Sequence, residues 1–149
     1  MAQPITVDSE KVEEMLRKAP AIVTKHLNKV LDRSAIIADR ELTKEAPIAV
    51  TGQLKENRVV EKNFERIIGS RQKYAYWVVK GTKPHWTSVR NLESWANLRG
   101  LNPFAVQKSI ATKGTKANNY VARARRNAKP DIDRIAEAGL KDMVKEITR

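Results

Sequence analysis

The run Tyr74 to His85, YAYWVVKGTKPH, constrains the fold more than any other stretch of the chain. Its first six residues are all apolar or aromatic, and aromatic and β-branched side chains suit a pleated strand. Alternation puts Tyr74, Tyr76 and Val78 on one face and Ala75, Trp77 and Val79 on the other, so a strand here is hydrophobic on both sides and must be covered twice. A helix can cover one side. The other needs a neighbouring subunit or, equally well, more of the same chain. Gly81 breaks the run and Pro84 withdraws a ladder donor, which ends the strand.

A chain of 149 residues is long enough for one domain with a real core and short for two. The expected organisation is a single domain over 1–149: an N-terminal extension helix at 1–19, an α+β core at 20–128 and a C-terminal helix at 129–149. There is no cysteine, which excludes disulfides and thiolate chemistry and suits a reducing cytosol. No run approaches the ~20 consecutive apolar residues of a membrane span. The start, MAQPITVDSEKVEEM, lacks the basic and apolar regions of a signal peptide, so a soluble, unsecreted protein without a membrane partner is expected.

Charge is informative once located. Residues 71–130 hold thirteen Lys or Arg against one acid, Glu93, an excess equal to the whole chain's net +12. The other sixteen bases and sixteen acids cancel. A single basic segment of this kind faces nucleic acid or an acidic protein surface, or else is a solvated face serving solubility.

In chain order, Asp8 to Ala19 reads as a short helix ended by Pro20. The stripe Val23, Leu27, Val30, Ile37, Leu42 then predicts a second helix of about 40 Å, running to Pro47 and backing a sheet. Ser34 and Glu41, beside that stripe, read as intersubunit contacts or a solvated edge. Pro47 to Gly52 is a connector with turn chemistry at Thr51-Gly52. From Gln53 the chain turns strand-like, with a hairpin turn at Glu61-Lys62-Asn63 and a break at Gly69-Ser70. Together with Tyr74 to Val79 this predicts an antiparallel meander. Val89–Leu98 and Pro103–Thr112 read as short helices stopped by Gly100 and Gly114. Lys113 to Ala128 reads as a basic loop with one extended piece at Tyr120-Val121. Pro130 then opens a last helix, with Asp131 and Asp133 in its first turn. Gly139, on the apolar stripe of that helix, predicts close approach by another element. The fold class is therefore α+β: a small, mainly antiparallel sheet of three to four strands packed on a long N-terminal helix, with short satellite helices and a C-terminal helix.

Catalytic constellations do not assemble from these residue types. There are two histidines; His26 reads as a partly exposed filler on a helix, and His85 lies in a turn with no carboxylate nearby in sequence. Metal-ligand spacing is missing. Gly81-Thr82-Lys83 and Gly114-Thr115-Lys116 suggest phosphate loops but lack the G-x-x-x-x-G-K-[ST] pattern. No enzymatic activity, metal or cofactor is expected. Lys113, Lys116, Arg123, Arg125 and Arg126 beside Tyr120 can neutralise several phosphates, which supports sequence-blind backbone contact, since no helix-turn-helix or RNA-binding signature is present. Trp77, Trp86 and Trp95 read as base-stacking groups or as core and interface anchors.

The order of landmarks is more specific than any one of them. Ala46-Pro47 ends a long helix, Thr51-Gly52-Gln53-Leu54 follows, and Tyr74-Ala75-Tyr76 leads through Val78-Val79 to Gly81-Thr82-Lys83-Pro84-His85. Trp95, Leu98, Gly100-Leu101, Ile110, Gly114-Thr115-Lys116, Tyr120 and a closing helix come after. Over roughly residues 15–149 this series resembles the tail-component proteins that join head to tail in long-tailed bacteriophages. Lys80 stands where that family often has an acid, and Tyr120 where it often has phenylalanine. The resemblance implies a structural virion protein of the neck, assembled in the host cytoplasm, between the head-closure (connector) protein and the tail terminator or tail tube. The fold it implies is a small sheet backed by a long helix.

The expectation is a homo-oligomeric ring of six or twelve copies made by head-to-tail contacts. Tyr76, Trp77, Trp86 and Tyr120 are its candidate interface residues. The five basic residues named above would face double-stranded DNA passing non-specifically through the channel, or an acidic partner. The alternative is a free-standing, sequence-nonspecific nucleic-acid-binding protein.

Overall fold

The computed structural model describes residues 9–48 and 52–149. The turn expected at Thr51-Gly52 lies partly, and the segment Met1–Asp8 wholly, outside the described residues. The apolar stripe that begins at Val12 continues without interruption, and a single helix, α1 (Ser9–Glu45), carries it through 37 residues, about 55 Å. Pro20 does not end it. The carbonyl left without a donor is that of Leu16, and both Leu16 and Pro20 are exposed, so water can satisfy it. The same holds at the other end of the chain, where α5 (Tyr120–Ile147) runs straight through Pro130. Of the segment expected as a basic loop, 114–119 is loop and bridge, while 120–128, including the piece expected as extended, is the start of α5, capped by Asn119, whose side chain accepts from the Ala122 N–H at 3.0 Å. Asp131 and Asp133 consequently lie mid-helix rather than in a first turn; Asp131 pairs with Arg40 of α1 and with Arg134.

α1 and α5 pack antiparallel. Arg123 and Asn127 bond Glu45 at one end, and His26 meets Glu146 at the other. Between them the small residues Ala35, Ala124 and Ala128 are buried. A Cβ added to Gly139 would lie 2.2 Å from Val30 Cγ2, so the expected close approach is present. Glu41 is buried and held within its own chain by Arg40 and Lys44.

Behind α1 a 3-10 turn, Gln53–Lys55, plants the buried Leu54 in the core. Strands β1 (Asn57–Lys62) and β2 (Glu65–Ser70) form an antiparallel hairpin in the register Asn57↔Ser70 to Lys62↔Glu65. The turn is Asn63-Phe64, one residue later than expected, with Phe64 at φ 56°. Two cross-links seat the hairpin on α1: Arg66 reaches Asp32 at 2.8 Å, and the Asn57 amide donates to Asp39 and Thr43 at 2.9 and 3.0 Å.

The architecture is α+β, with a long N-terminal helix, an antiparallel sheet, satellite helices and a C-terminal helix, but the sheet has two strands among the described residues. The missing strand is Tyr74 to Val79. It forms a short helix, α2 (Ala75–Lys80), instead of extending the meander. The reason is in its spacing: Ala75, Val78 and Val79 stand at i, i+3 and i+4, and packing all three against Leu42, Ala46, Leu54, Tyr120 and Ala124 decides in favour of helix. A run that is apolar on both strand faces carries both patterns, and tertiary contact selects between them.

Candidate interaction surface

Two satellite helices, α3 (Val89–Asn97) and α4 (Pro103–Lys113), stand in tandem after α2, at the positions expected from their stops. The ends of α2 and α4 share one construction. Each finishes in Lys-Gly-Thr-Lys: Lys80-Gly81-Thr82-Lys83 and Lys113-Gly114-Thr115-Lys116. Each glycine returns its N–H to its helix, Gly81 to the Trp77 carbonyl and Gly114 to that of Ile110, at 2.8 and 2.9 Å. Each then takes a backbone that only glycine adopts readily, φ 73°, ψ 177° at Gly81 and φ 71°, ψ −161° at Gly114.

From there the two copies cross as an isolated antiparallel bridge, Thr82↔Thr115. The backbone N–H groups of Thr82 and Thr115 donate to one another's carbonyls at 3.1 Å, and the two hydroxyls meet at 3.0 Å. The fit leaves no room for a side chain. A Cβ on Gly114 would lie 2.0 Å from the Thr82 carbonyl oxygen, and one on Gly81 would lie 2.5 Å from that of Thr115.

This crossing, the corner, gathers charge. Lys80, Lys83, Lys113 and Lys116 all lie within two residues of the bridge and all are exposed. Among the described residues none of the four makes an ion pair, whereas acidic neighbours hold Lys18, Lys25, Lys44 and Lys129. Beside the corner runs an open cleft of ≈ 970 Å³ lined by Trp77, Lys80, Lys83, Pro84, His85 and Thr115. A second groove continues it past Trp95, over whose ring Arg99 stacks at 4.6 Å. The His85 Nδ1–H donates to the Lys83 carbonyl at 2.9 Å, which fixes the imidazole against the turn.

The expected interface residues divide. Trp86 is 76 % exposed, Tyr76 59 % and Trp77 56 %, the last two packed edge to face at 5.1 Å between ring centres. Tyr120, by contrast, is 1 % exposed and forms the centre of the chain's own core. Burial, and secondarily Tyr74, raises its phenol above the usual tyrosine range. It offers a neighbour no surface.

The basic candidates divide as well. Lys113, Lys116, Arg125 and Arg126 are exposed. Arg123 is engaged internally, its Nε donating to Glu45 at 2.8 Å and another nitrogen to Asn118 at 2.9 Å, which ties the start of α5 to the end of α1. From the sequence, Lys83 enters only as part of a Gly-Thr-Lys run and Lys80 only as a departure from the family pattern, and neither is among the basic candidates. The signal that could have found them is the exact four-residue repetition, which a test against the phosphate-loop pattern does not register.

His26 is buried, not a partly exposed filler, with Nε2 2.7 Å from a Glu146 oxygen. Hydrogen bonds from Lys25 and then His26 hold the Glu146 carboxyl below the usual carboxylate range. No group of three or more His, Cys, Asp or Glu is placed to hold a metal among the described residues, and no described helix is long and apolar enough to cross a membrane. Compared with known proteins, the chain matches no family model, no curated protein and no solved structure.

Proposed function

We propose that this chain is a structural subunit of a bacteriophage neck: a head-tail connector or tail-completion protein that forms a ring, joins the head-closure complex to the tail and surrounds the DNA channel. The family resemblance suggests the role, and one physical observation carries it. Among the described residues, nineteen large apolar side chains are exposed, while the only large ones fully buried are Tyr120 and Leu54. Trp77, Trp86, Leu98 and Phe104 are each more than half exposed, and large aromatic and aliphatic side chains left in water are the raw material of interaction surfaces. Aromatic anchors of this kind dominate the energetics of protein interfaces. In a ring they would meet a different face of the next subunit, because a closed cyclic assembly of more than two copies uses head-to-tail contacts. The role is one of binding, not turnover.

Sedimentation velocity and negative-stain imaging test it, on the purified protein alone and mixed with the head-closure protein of its phage. Closed rings are expected, and Trp77→Ala and Trp86→Ala should weaken them by 1 kcal/mol or more per contact, as interface anchors do. A protein that stays monomeric with its neck partners present contradicts the proposal.

A second reading, a free-standing nucleic-acid-binding protein, is favoured by the four lysines of the corner, which make no ion pair among the described residues. It differs in predicting full affinity for nucleic acid without a ring.

A further inference from the structure

We infer that the corner formed by the two Lys-Gly-Thr-Lys segments is a binding site for the phosphate backbone of nucleic acid. This rests on the DNA contact common to both functional readings and does not need the ring. The four lysines branch from backbone within two residues of one crossing, and among the described residues none meets a counter-charge. Two glycines in a conformation closed to other residues, and a crossing too tight for a Cβ, fix the backbone that carries them. Lys80 and Lys113, in the last turns of α2 and α4, also offset the negative ends of those helices. Lys83 and Lys116 lie beyond the helix ends and have no such role.

The surroundings fit the same ligand. Arg125 and Arg126 add exposed cations in the first turns of α5, and residues 71–130 contain one acid, Glu93, to oppose a polyanion. Lysine is a compact point charge with rotatable donors, which suits sequence-blind phosphate contact. The cleft adjoining the corner is walled by Trp77, with Trp86 exposed nearby in sequence, and indole rings are platforms on which unpaired bases stack.

Fluorescence anisotropy with a labelled short duplex, and with one strand of it alone, tests the site across a salt series. Each phosphate contact contributes about 0.9 to the slope of log K against log salt on duplex and about 0.7 on a single strand. Four lysines therefore require a duplex slope of magnitude about 3.6 or more. Lys83→Gln with Lys116→Gln should lower it by about 1.8, which corresponds to roughly 60-fold weaker binding at 0.1 M salt if the two lines meet at 1 M.

Lys29→Gln with Lys141→Gln removes the same charge from exposed sites away from the corner, and should leave the slope within error of wild type. Tighter binding to the single strand would identify that strand as the ligand. Tighter binding to duplex would identify the duplex, and either supports the site. A wild-type slope below about 2, equal slopes for the corner and control variants, or tighter binding to polyglutamate than to either nucleic acid would overturn it. Sedimentation of the same samples reads the ring separately, so the two proposals can fail independently.

Discussion

Replacing Gly114 by alanine is the sharpest test of how the corner is built. Two separate penalties apply. Alanine at φ 71°, ψ −161° enters a backbone region populated almost only by glycine, at about 1–3 kcal/mol. The new Cβ would also sit 2.0 Å from the Thr82 oxygen and 2.8 Å from the Lys83 carbonyl carbon, both backbone atoms that no rotamer change can move. The Thr82-Lys83 peptide must retreat by about 1 Å or more to reach ordinary contact, and the bridge cannot survive that. Losing its two backbone hydrogen bonds adds about 1–3 kcal/mol, for a total near 4 kcal/mol. Against the 5–15 kcal/mol typical of a folded domain, that is a large fraction.

In urea titration with a slope of about 2 kcal/mol per molar, the midpoint should fall by roughly 2 M. Hydrogen exchange should show the Thr82 and Thr115 amides losing protection. Gly100 supplies the control: it too has positive φ, 65°, but an added Cβ meets nothing within 4 Å. Gly100→Ala should therefore cost only the backbone penalty of about 1–2 kcal/mol. If Gly114→Ala costs no more than Gly100→Ala, and the two threonine amides stay protected, the reasoning about the corner is wrong.

Other outcomes follow from the helical pair and the core. Gly139→Ala gains about 1 kcal/mol of helix propensity but drives a methyl into the stiff Val30 side chain, at about 1–3 kcal/mol, so a net loss is expected; Val30→Ala should rescue it in a double-mutant cycle. Tyr120→Ala should cost about 3–5 kcal/mol by denaturant titration, as removing a buried aromatic does. Because the folded-state pKa of Tyr120 is raised, its contribution is complete below the ordinary value of 10.0 and is lost as pH rises through the folded value; ultraviolet titration should find a phenol ionising above the ordinary tyrosine range. Glu146 has the opposite sign. Its folded pKa is lowered from 4.5, so the stability it contributes is present above that value and lost as pH falls through the folded one, and Glu146→Gln should flatten the acid limb of a stability profile.

Much of the helical architecture is legible in the sequence because it rests on long stripes with strong periodicity. Val23 to Leu42 fixes the body of α1, Ile132 to Ile147 fixes that of α5, and Gly139 marks where they touch. Gly100 and Gly114 stop α3 and α4 where local chemistry says they should. What misled was local rules that tertiary packing outweighs. Pro20 and Pro130 are helix breakers by rule, yet each sits on an exposed face of a helix whose other side is stabilised elsewhere along its length. Tyr74 to Val79 is too short for its period to be decided without knowing that Leu54 and Tyr120 wait on one side of it. The candidate site was half legible: Trp77, Trp86, Lys113 and Lys116 come from the sequence, but their assembly depends on two segments thirty-three residues apart crossing, which no single-stretch reading detects.

The pairing of His26 with Glu146 also fixes where α5 runs out. The turns of α1 before Lys25 extend some 25 Å past that point, with Val12 and Leu16 bare along them. Pro20, the one interrupted rung of that ladder, falls within this outrigger. A bend there would leave the pairing of the two long helices intact, because His26–Glu146, Val30–Gly139 and Glu45–Arg123 all lie on its far side.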